Sequence, residues 1–230
     1  MATAIITGGS RGLGRALAAD LAIDGWDVVL DGRDAEALRL TAEAIGPHAH
    51  TVAGDVADPV HRTALVERAT ALGRLALVVN NASDLGPSPL PRLRDLPLDA
   101  YERLLCTNVV GAIGLIQLCL PQLVAAGGAI VNVTSDAAVE GYEGWGAYGS
   151  SKAALEQASH VLAAEEPGVR VWWFDPGDMR TAMHQDAFPG EDISDRPPPE
   201  SVVPAVRRLL AERPPSGRVR AADLLPGAEP

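Results

Sequence analysis

Short apolar, β-branched runs alternate with longer amphipathic stretches along this chain. Ala4–Thr7, Asp27–Leu30 and Leu75–Val79 have the length and density of strands buried on both faces. Between and after them, apolar residues recur at helical spacing near 12–24, 34–45 and 59–72. Helical patterns then follow at 98–107 and 109–126, with a strand at Ala129–Thr134. A helix at Ala147–Glu165, a strand at Val169–Phe174, a short helix at 201–212 and a strand near Arg218–Ala221 complete the series. Strand–helix alternation predicts an α/β fold: a doubly wound, mostly parallel sheet of six to seven strands with helices on both faces. No repeat or linker divides residues 1–230, so one domain is expected. The Pro-, Gly- and Asp-rich segment 176–200 is longer than an ordinary connection. It follows a strand's C-terminal end, where open sheets bind ligands, and reads as a substrate loop or lid.

Composition narrows the partners. The hydrophobic share is 47% and the formal net charge −11, with no basic stretch beyond Arg207-Arg208. Such a charge repels nucleic acid and anionic membrane, so neither is expected as a partner. No apolar run reaches the ~18 residues of a membrane span, and no leader is apparent, so the expected location is cytoplasmic. Cys106 and Cys119 sit in apolar surroundings without metal-ligand spacing and read as reduced core residues; no metal is expected.

Candidate chemistry begins at Thr7-Gly8-Gly9-Ser10-Arg11-Gly12-Leu13-Gly14, between the first strand and the first helix. Glycines let backbone approach a ligand closely, and a helix N-terminus offers free N–H groups to a pyrophosphate. No lysine followed by Ser or Thr ends the turn, which disfavours a triphosphate-binding loop. About twenty residues on, the second strand ends in Asp31-Gly32-Arg33. An acid there selects the ribose of NAD, and an arginine accommodates the 2′-phosphate of NADP. Counting from Val28-Val29, the acidic position falls on Gly32, with Asp31 facing the other way. Arg33 and Arg11 then flank a 2′-phosphate, so NADP(H) is expected over NAD(H).

A second feature is compositional. Of the nineteen basic residues eighteen are arginine, and the lone lysine, Lys152, lies four positions after Tyr148. At that spacing on a helix a phenol and an ammonium share a face and can couple.

With TGxxxGxG at 7–14 and YxxxK at 148–152, the chain resembles the short-chain dehydrogenase/reductase family. The resemblance covers 1–181 strongly and the tail weakly. It implies a Rossmann-type fold and a set of roles. Asp55 and Val56 match the pair at the adenine, and Asn81 and Ala82 belong to the motif after the fourth strand. Asn108 matches a helix asparagine in a proton relay, and Ser135 a serine that hydrogen-bonds the substrate oxygen. Pro176, Gly177 and Thr181 match the segment at the nicotinamide. Tyr148 is then the general acid or base, with its proton loss favoured by Lys152, which also contacts the cofactor ribose. Plainer readings exist for three of these: a turn cap for Ser135, an N-cap for Asn108 and a solvated charge for Arg33.

Departures from the pattern are Ser83 where a glycine is usual, Asp178 where an apolar residue is commoner, and a last strand lacking Asp-Gly-Gly. Tetramer contacts at that strand are therefore in doubt. Pairing through helices 109–126 and 147–165, as a homodimer or homotetramer, remains expected. Candidate substrate contacts are Asp84, Asp136, Tyr142, Glu143, Trp145, Met183 and His184. The function expected is NADP(H)-dependent interconversion of a small-molecule carbonyl and a secondary alcohol. Two alternatives stand: an NADP(H)-binding regulatory or scaffold protein without turnover, and a redox-neutral isomerase or dehydratase on the same fold.

Overall fold

A computed structural model describes residues 2–225. The strands are β1 (Ala2–Ile6), β2 (Asp27–Gly32), β3 (Ala49–Ala53), β4 (Arg74–Asn80), β5 (Ala129–Val133), β6 (Arg170–Asp175) and β7 (Gly217–Arg220). They form one seven-stranded sheet in the order β3-β2-β1-β4-β5-β6-β7, and each pairing is parallel. The order reverses between β1 and β4, so their C-terminal ends open a crevice at the topological switch point. The helices are α1 (Gly12–Ile23), α2 (Ala35–Ile45), α3 (Pro59–Leu72), α4 (Leu98–Leu105), α5 (Ala112–Ala126), α6 (Gly146–Glu165), α7 (Ala182–Ala187), α8 (Val203–Glu212) and α9 (Ala221–Leu224).

Alternation along the strands supplies two cores. Ile6, Val28, Leu30, Val79, Val131 and Phe174 meet Leu13 and Leu17 of α1, Leu38 of α2 and Val206 and Leu209 of α8. Their neighbours Ile5, Val29, Val78, Ile130 and Val171 turn to the opposite face against Leu65 of α3 and Leu115, Cys119 and Leu123 of α5. Each such fully buried aliphatic side chain stabilises the fold by about 1.5–3 kcal/mol relative to exposure.

The pattern of apolar positions misses three features. β3 reads Ala-His-Thr-Val-Ala and is an edge strand with Thr51 and Ala53 exposed, so it has no apolar run. The helices expected on either side of residue 108 are joined by a π-helical turn, Cys106–Gly111. The result is one continuous helix, Leu98–Ala126, of 29 residues with mean hydropathy 2.0 in its most apolar window. By length and composition it is long enough to cross a membrane, contrary to the expected absence of such a run. Its inner side chains Leu115, Ile116, Cys119 and Leu123 are packed in the second core. Cys119 is buried, which pushes its thiol up to about 12; Cys106 is exposed, in contrast to the core position expected for it.

Candidate active site

The glycine-rich turn is held from below. Thr7 Oγ1 accepts the N–H groups of Asn81 at 3.0 Å and Ala82 at 2.9 Å. The Asn81 amide donates back to the carbonyls of Thr7 (2.8 Å) and Gly8 (3.2 Å). Gly8 and Gly12 have φ of 65° and 57°, values that side-chain-bearing residues rarely adopt. Gly14 lies outside the cleft lining and acts in packing: a Cβ there would fall 2.5 Å from the Gly8 carbonyl oxygen.

Asp31 is occupied inside the fold. Its Oδ1 accepts the Gly8 N–H at 2.6 Å, and Oδ2 lies 3.3 Å from Nε2 of the buried His61. Gly32 is the position beside the turn, since a Cβ there would come within 3.3 Å of Ser10 Oγ. The exposed Arg33 follows Gly32, and the exposed Arg11 follows Ser10. Both guanidinium-bearing residues therefore stand at one end of the cleft, with Asp55 and Val56 also in its lining.

The other end is built on α6. Tyr148 and Lys152 are buried one turn apart, with Lys152 Nζ 5.3 Å from the phenol ring centre and 2.8 Å from the Val133 carbonyl oxygen it donates to. Burial lowers the Lys152 ammonium to about 8. Burial also dominates Tyr148, whose pKa is raised; the Ser83 hydroxyl draws it down, while the Asp175 and Asp136 carboxylates add to the rise. The phenol is thus held protonated by its surroundings, where the spacing alone had suggested lowering by the ammonium. Ser83 Oγ, although buried beside this phenol, falls outside hydrogen-bonding geometry with any partner among the described residues.

Ser135 follows β5 and caps the turn Asp136–Ala138: its Oγ accepts the Ala137 N–H at 3.2 Å and donates to Asp136 Oδ1 at 2.8 Å. It also lines the cleft, so the cap and the site coincide. Asn108 lies within the π-helical turn and is not an N-cap. It is buried outside the cleft lining: Oδ1 accepts the Asp84 N–H at 2.7 Å, and Nδ2 donates to the Asp84 carbonyl and to Ser151 Oγ, each at 2.9 Å.

Pro176, Gly177 and Thr181 line the cleft, and Thr181 caps α7 by accepting the His184 N–H at 3.2 Å. Of the candidate substrate contacts, Asp136, Tyr142, Trp145, Met183 and His184 line the cleft. Asp84 and Glu143 do not: Asp84 Oδ1 accepts the Gly86 N–H and Glu143 pairs with Arg92.

One functional neighbour escaped the sequence reading. Arg218 of β7 donates from Nη2 to the Ser135 carbonyl at 3.2 Å and to Asp175 Oδ2 at 2.9 Å, and from Nε to Glu156 at 3.1 Å. Asp175 Oδ1 in turn accepts the Gly177 N–H at 3.0 Å. One guanidinium therefore ties the serine turn to the Pro-Gly segment. Only the β6–β7 register, with Trp173 opposite Arg218, brings these distant residues together.

The cleft, about 880 Å³, runs from Arg33 to Phe188 along the C-terminal ends of the strands. Its fit to a dinucleotide can be judged from the helix starts. α2 and α3 have their first N–H groups satisfied by Asp34 and Asp58. α1 has no side-chain cap and no acid in its first turn. Its N–H donors and positive dipole end face the cleft under glycines, an arrangement suited to a diphosphate. Lys152, buried with one carbonyl partner, supplies further donor capacity at the opposite end.

A parallel sheet with this order, a bare helix N-terminus under glycines and a buried tyrosine–lysine pair are together what a dinucleotide-dependent oxidoreductase requires. The family model for short chain dehydrogenases matches residues 2–192, and the chain belongs to that family. Serine 3-dehydrogenase of Rhizobium radiobacter is 34% identical over 183 residues, covering 78% of this chain and 72% of the relative. L-rhamnose 1-dehydrogenase (NAD(P)(+)) of a Sphingomonas strain is 32% identical and covers 98% of this chain and 86% of its own. A short chain dehydrogenase from Shigella flexneri, solved in complex with NADP, superposes with a TM-score of 0.88 at 30% identity, covering 95% of this chain and 96% of that one.

Proposed function

We propose that this oxidoreductase interconverts a carbonyl compound and its secondary alcohol, with NADP(H) as the preferred dinucleotide. The reading rests above all on the convergence of Tyr148, Lys152 and Ser135 on one cleft, whose far end carries Arg11 and Arg33. Gly8, Ser10, Arg11, Gly12 and Leu13 would cradle the diphosphate side, Asp55, Val56, Asn81 and Ala82 the adenosine and central part, and Pro176, Gly177 and Thr181 the nicotinamide side. When bound, the dinucleotide supplies or accepts the hydride.

In the direction of reduction, Tyr148 gives its phenolic proton to the carbonyl oxygen as negative charge develops there. A phenol kept protonated by burial suits that task. Lys152, one turn away, favours the phenolate that results. Ser135 orients the substrate oxygen, for which its hydrogen must turn from Asp136 toward the cleft. Asn108 positions the loop at Asp84 and the α6 residue Ser151, with a proton-relay role proposed beyond that.

NADP preference is supported by the absorption of Asp31 into the Gly8 contact, which would leave Gly32 and Arg33 to meet the ribose. The relatives bear on it unevenly, since one carries NADP and one is named for both dinucleotides. The helix Leu98–Ala126 exposes Val110, Leu118 and Val124, a face suited to pairing with a second copy. Sedimentation velocity of the purified chain should then give a dimer or tetramer. The direct test of the activity is consumption of NADPH with a panel of aldehydes and ketones. Turnover with NADPH preferred to NADH is expected; saturable NADPH binding with no turnover of any carbonyl would overturn the proposal.

A further inference from the structure

Beside the two sheet-face cores the fold has a third apolar cluster, set around Tyr148 itself. Leu85, Ala137 and Ala187 are buried with the phenol, and Trp145, Met183 and Phe188 pack against them partly exposed. These residues come from four separate segments, and each of them also lines the cleft. Trp145 meets the Tyr148 ring edge-on with centroids 5.6 Å apart, and Phe188 lies 6.0 Å from Trp145. Their free surface borders the space into which a reacting carbonyl must fit.

Most charged groups near this end are already engaged. Asp136 accepts hydrogen bonds from Ser135 Oγ, the Ala137 N–H and the Tyr142 hydroxyl. Arg218 is shared between Glu156 and Asp175, and Arg196 between Asp178 and Asp195. Among cations of the lining, Arg11 and Arg33 belong to the glycine-rich end, Arg15 lies 3.9 Å from Glu200, and Lys152 donates to the Val133 carbonyl at 2.8 Å. Arg180 is exposed on the loop, where Nη1 donates to the Ser194 carbonyl at 3.4 Å. A substrate carboxylate at Tyr148 would therefore meet apolar walls and the Asp136 carboxylate, and the Lys152 ammonium near the phenol is already engaged by the Val133 carbonyl, so its desolvation is poorly offset. An apolar ring there would replace water on Trp145, Met183 and Phe188.

We propose that the site takes an uncharged carbonyl compound bearing an aromatic ring or an apolar group of similar size beside the carbonyl. The inference rests on the carbonyl–alcohol reading above and names its substrate class. It separates this chain from relatives named for serine and for a sugar.

The test compares acetophenone with hydroxyacetone and pyruvate, using the full chain saturated with NADPH. The expected kcat/KM for acetophenone exceeds both others by on the order of 100-fold. Phe188→Ala and Trp145→Ala should each lower the ratio of acetophenone to hydroxyacetone by about tenfold. A preference for pyruvate or hydroxyacetone would overturn the substrate class and leave the oxidoreductase reading intact. So would pyruvate turnover that depends on Arg180, read with Arg180→Ala. If no carbonyl turns over, acetophenone binding to the Tyr148→Phe–NADPH complex decides between the two claims. Saturable binding keeps the apolar site and removes the proposed reaction, and no binding removes the substrate class.

Discussion

At the glycine-rich end of the cleft backbone makes the site, whereas at the tyrosine end side chains make it. The turn at Gly8 and Gly12 offers N–H groups under positive φ angles and is clamped by Thr7, Asn81 and Asp31. Such a surface suits a phosphate whatever molecule carries it, and on the proposed reading its discrimination falls to Arg11 and Arg33. The tyrosine end draws Ser83, Ser135, Trp145, Tyr148, Met183 and Phe188 from different segments. Its properties follow from burial: a phenol held protonated, a weakened ammonium and an apolar wall. The contrast teaches that one end can be shared across a family while the other sets what each member acts on.

Substitutions that strike one end alone should separate binding from chemistry. The largest effect is expected from Gly14→Val. Its Cβ would press on the Gly8 carbonyl 2.5 Å away, and backbone must shift. NADPH binding, followed by nucleotide fluorescence, should fall below detection while acetophenone cannot compensate. Intact binding would show that the turn tolerates the shift.

At the other end, Arg218→Met removes the tie between Ser135 and Asp175 and leaves two largely buried carboxylates without their cation. A loss of about 2–3 kcal/mol in stability is expected from chemical denaturation, together with at least tenfold in kcat. A stable variant with normal kcat would show that the Ser135 turn holds itself.

Arg33→Ala comes next. Losing one exposed, charge-assisted contact should weaken NADPH by about 10–100-fold and NADH hardly at all. Equal losses for the two dinucleotides would place the ribose elsewhere than Gly32-Arg33.

The smallest expected effect is one of pH. Burial places Lys152 at about 8, so it is charged below that value and neutral above it. Since its charge favours the phenolate formed as Tyr148 gives up its proton, reduction should be fastest below pH 8. Carbonyl reduction should fall about tenfold between pH 7 and 9, as the ammonium is lost. Rates that rise across this window would exclude Lys152 from the role.

The same contrast explains what could be read in advance. Strands buried on both faces betray themselves by apolar runs, and β1, β2, β4, β5 and β6 carry one. β3 does not, because as an edge strand it needs no second apolar face. The glycine-rich turn is legible because its chemistry depends on residues adjacent in sequence. Tyr148 and Lys152 are legible because one helical turn fixes their spacing. Arg218, Asp175 and Glu156 are not, since only the pairing of β6 with β7 and the packing of α6 bring them to Ser135. The engagement of Asp31 with Gly8 was half visible: strand alternation gave its direction, but not the N–H it accepts. The π-helical turn at Asn108 and the exposure of Cys106 show in no local sequence pattern.

The division of labour between the two ends is tested most directly in Tyr148→Phe. NADPH affinity and single-turnover reduction are measured on the same preparation. The account predicts NADPH binding within about threefold of the parent chain and a loss of reduction of at least ~1000-fold, the scale expected for removing a general acid. Reduction that persists at near-parental rate, or NADPH binding that disappears with the hydroxyl, would contradict it.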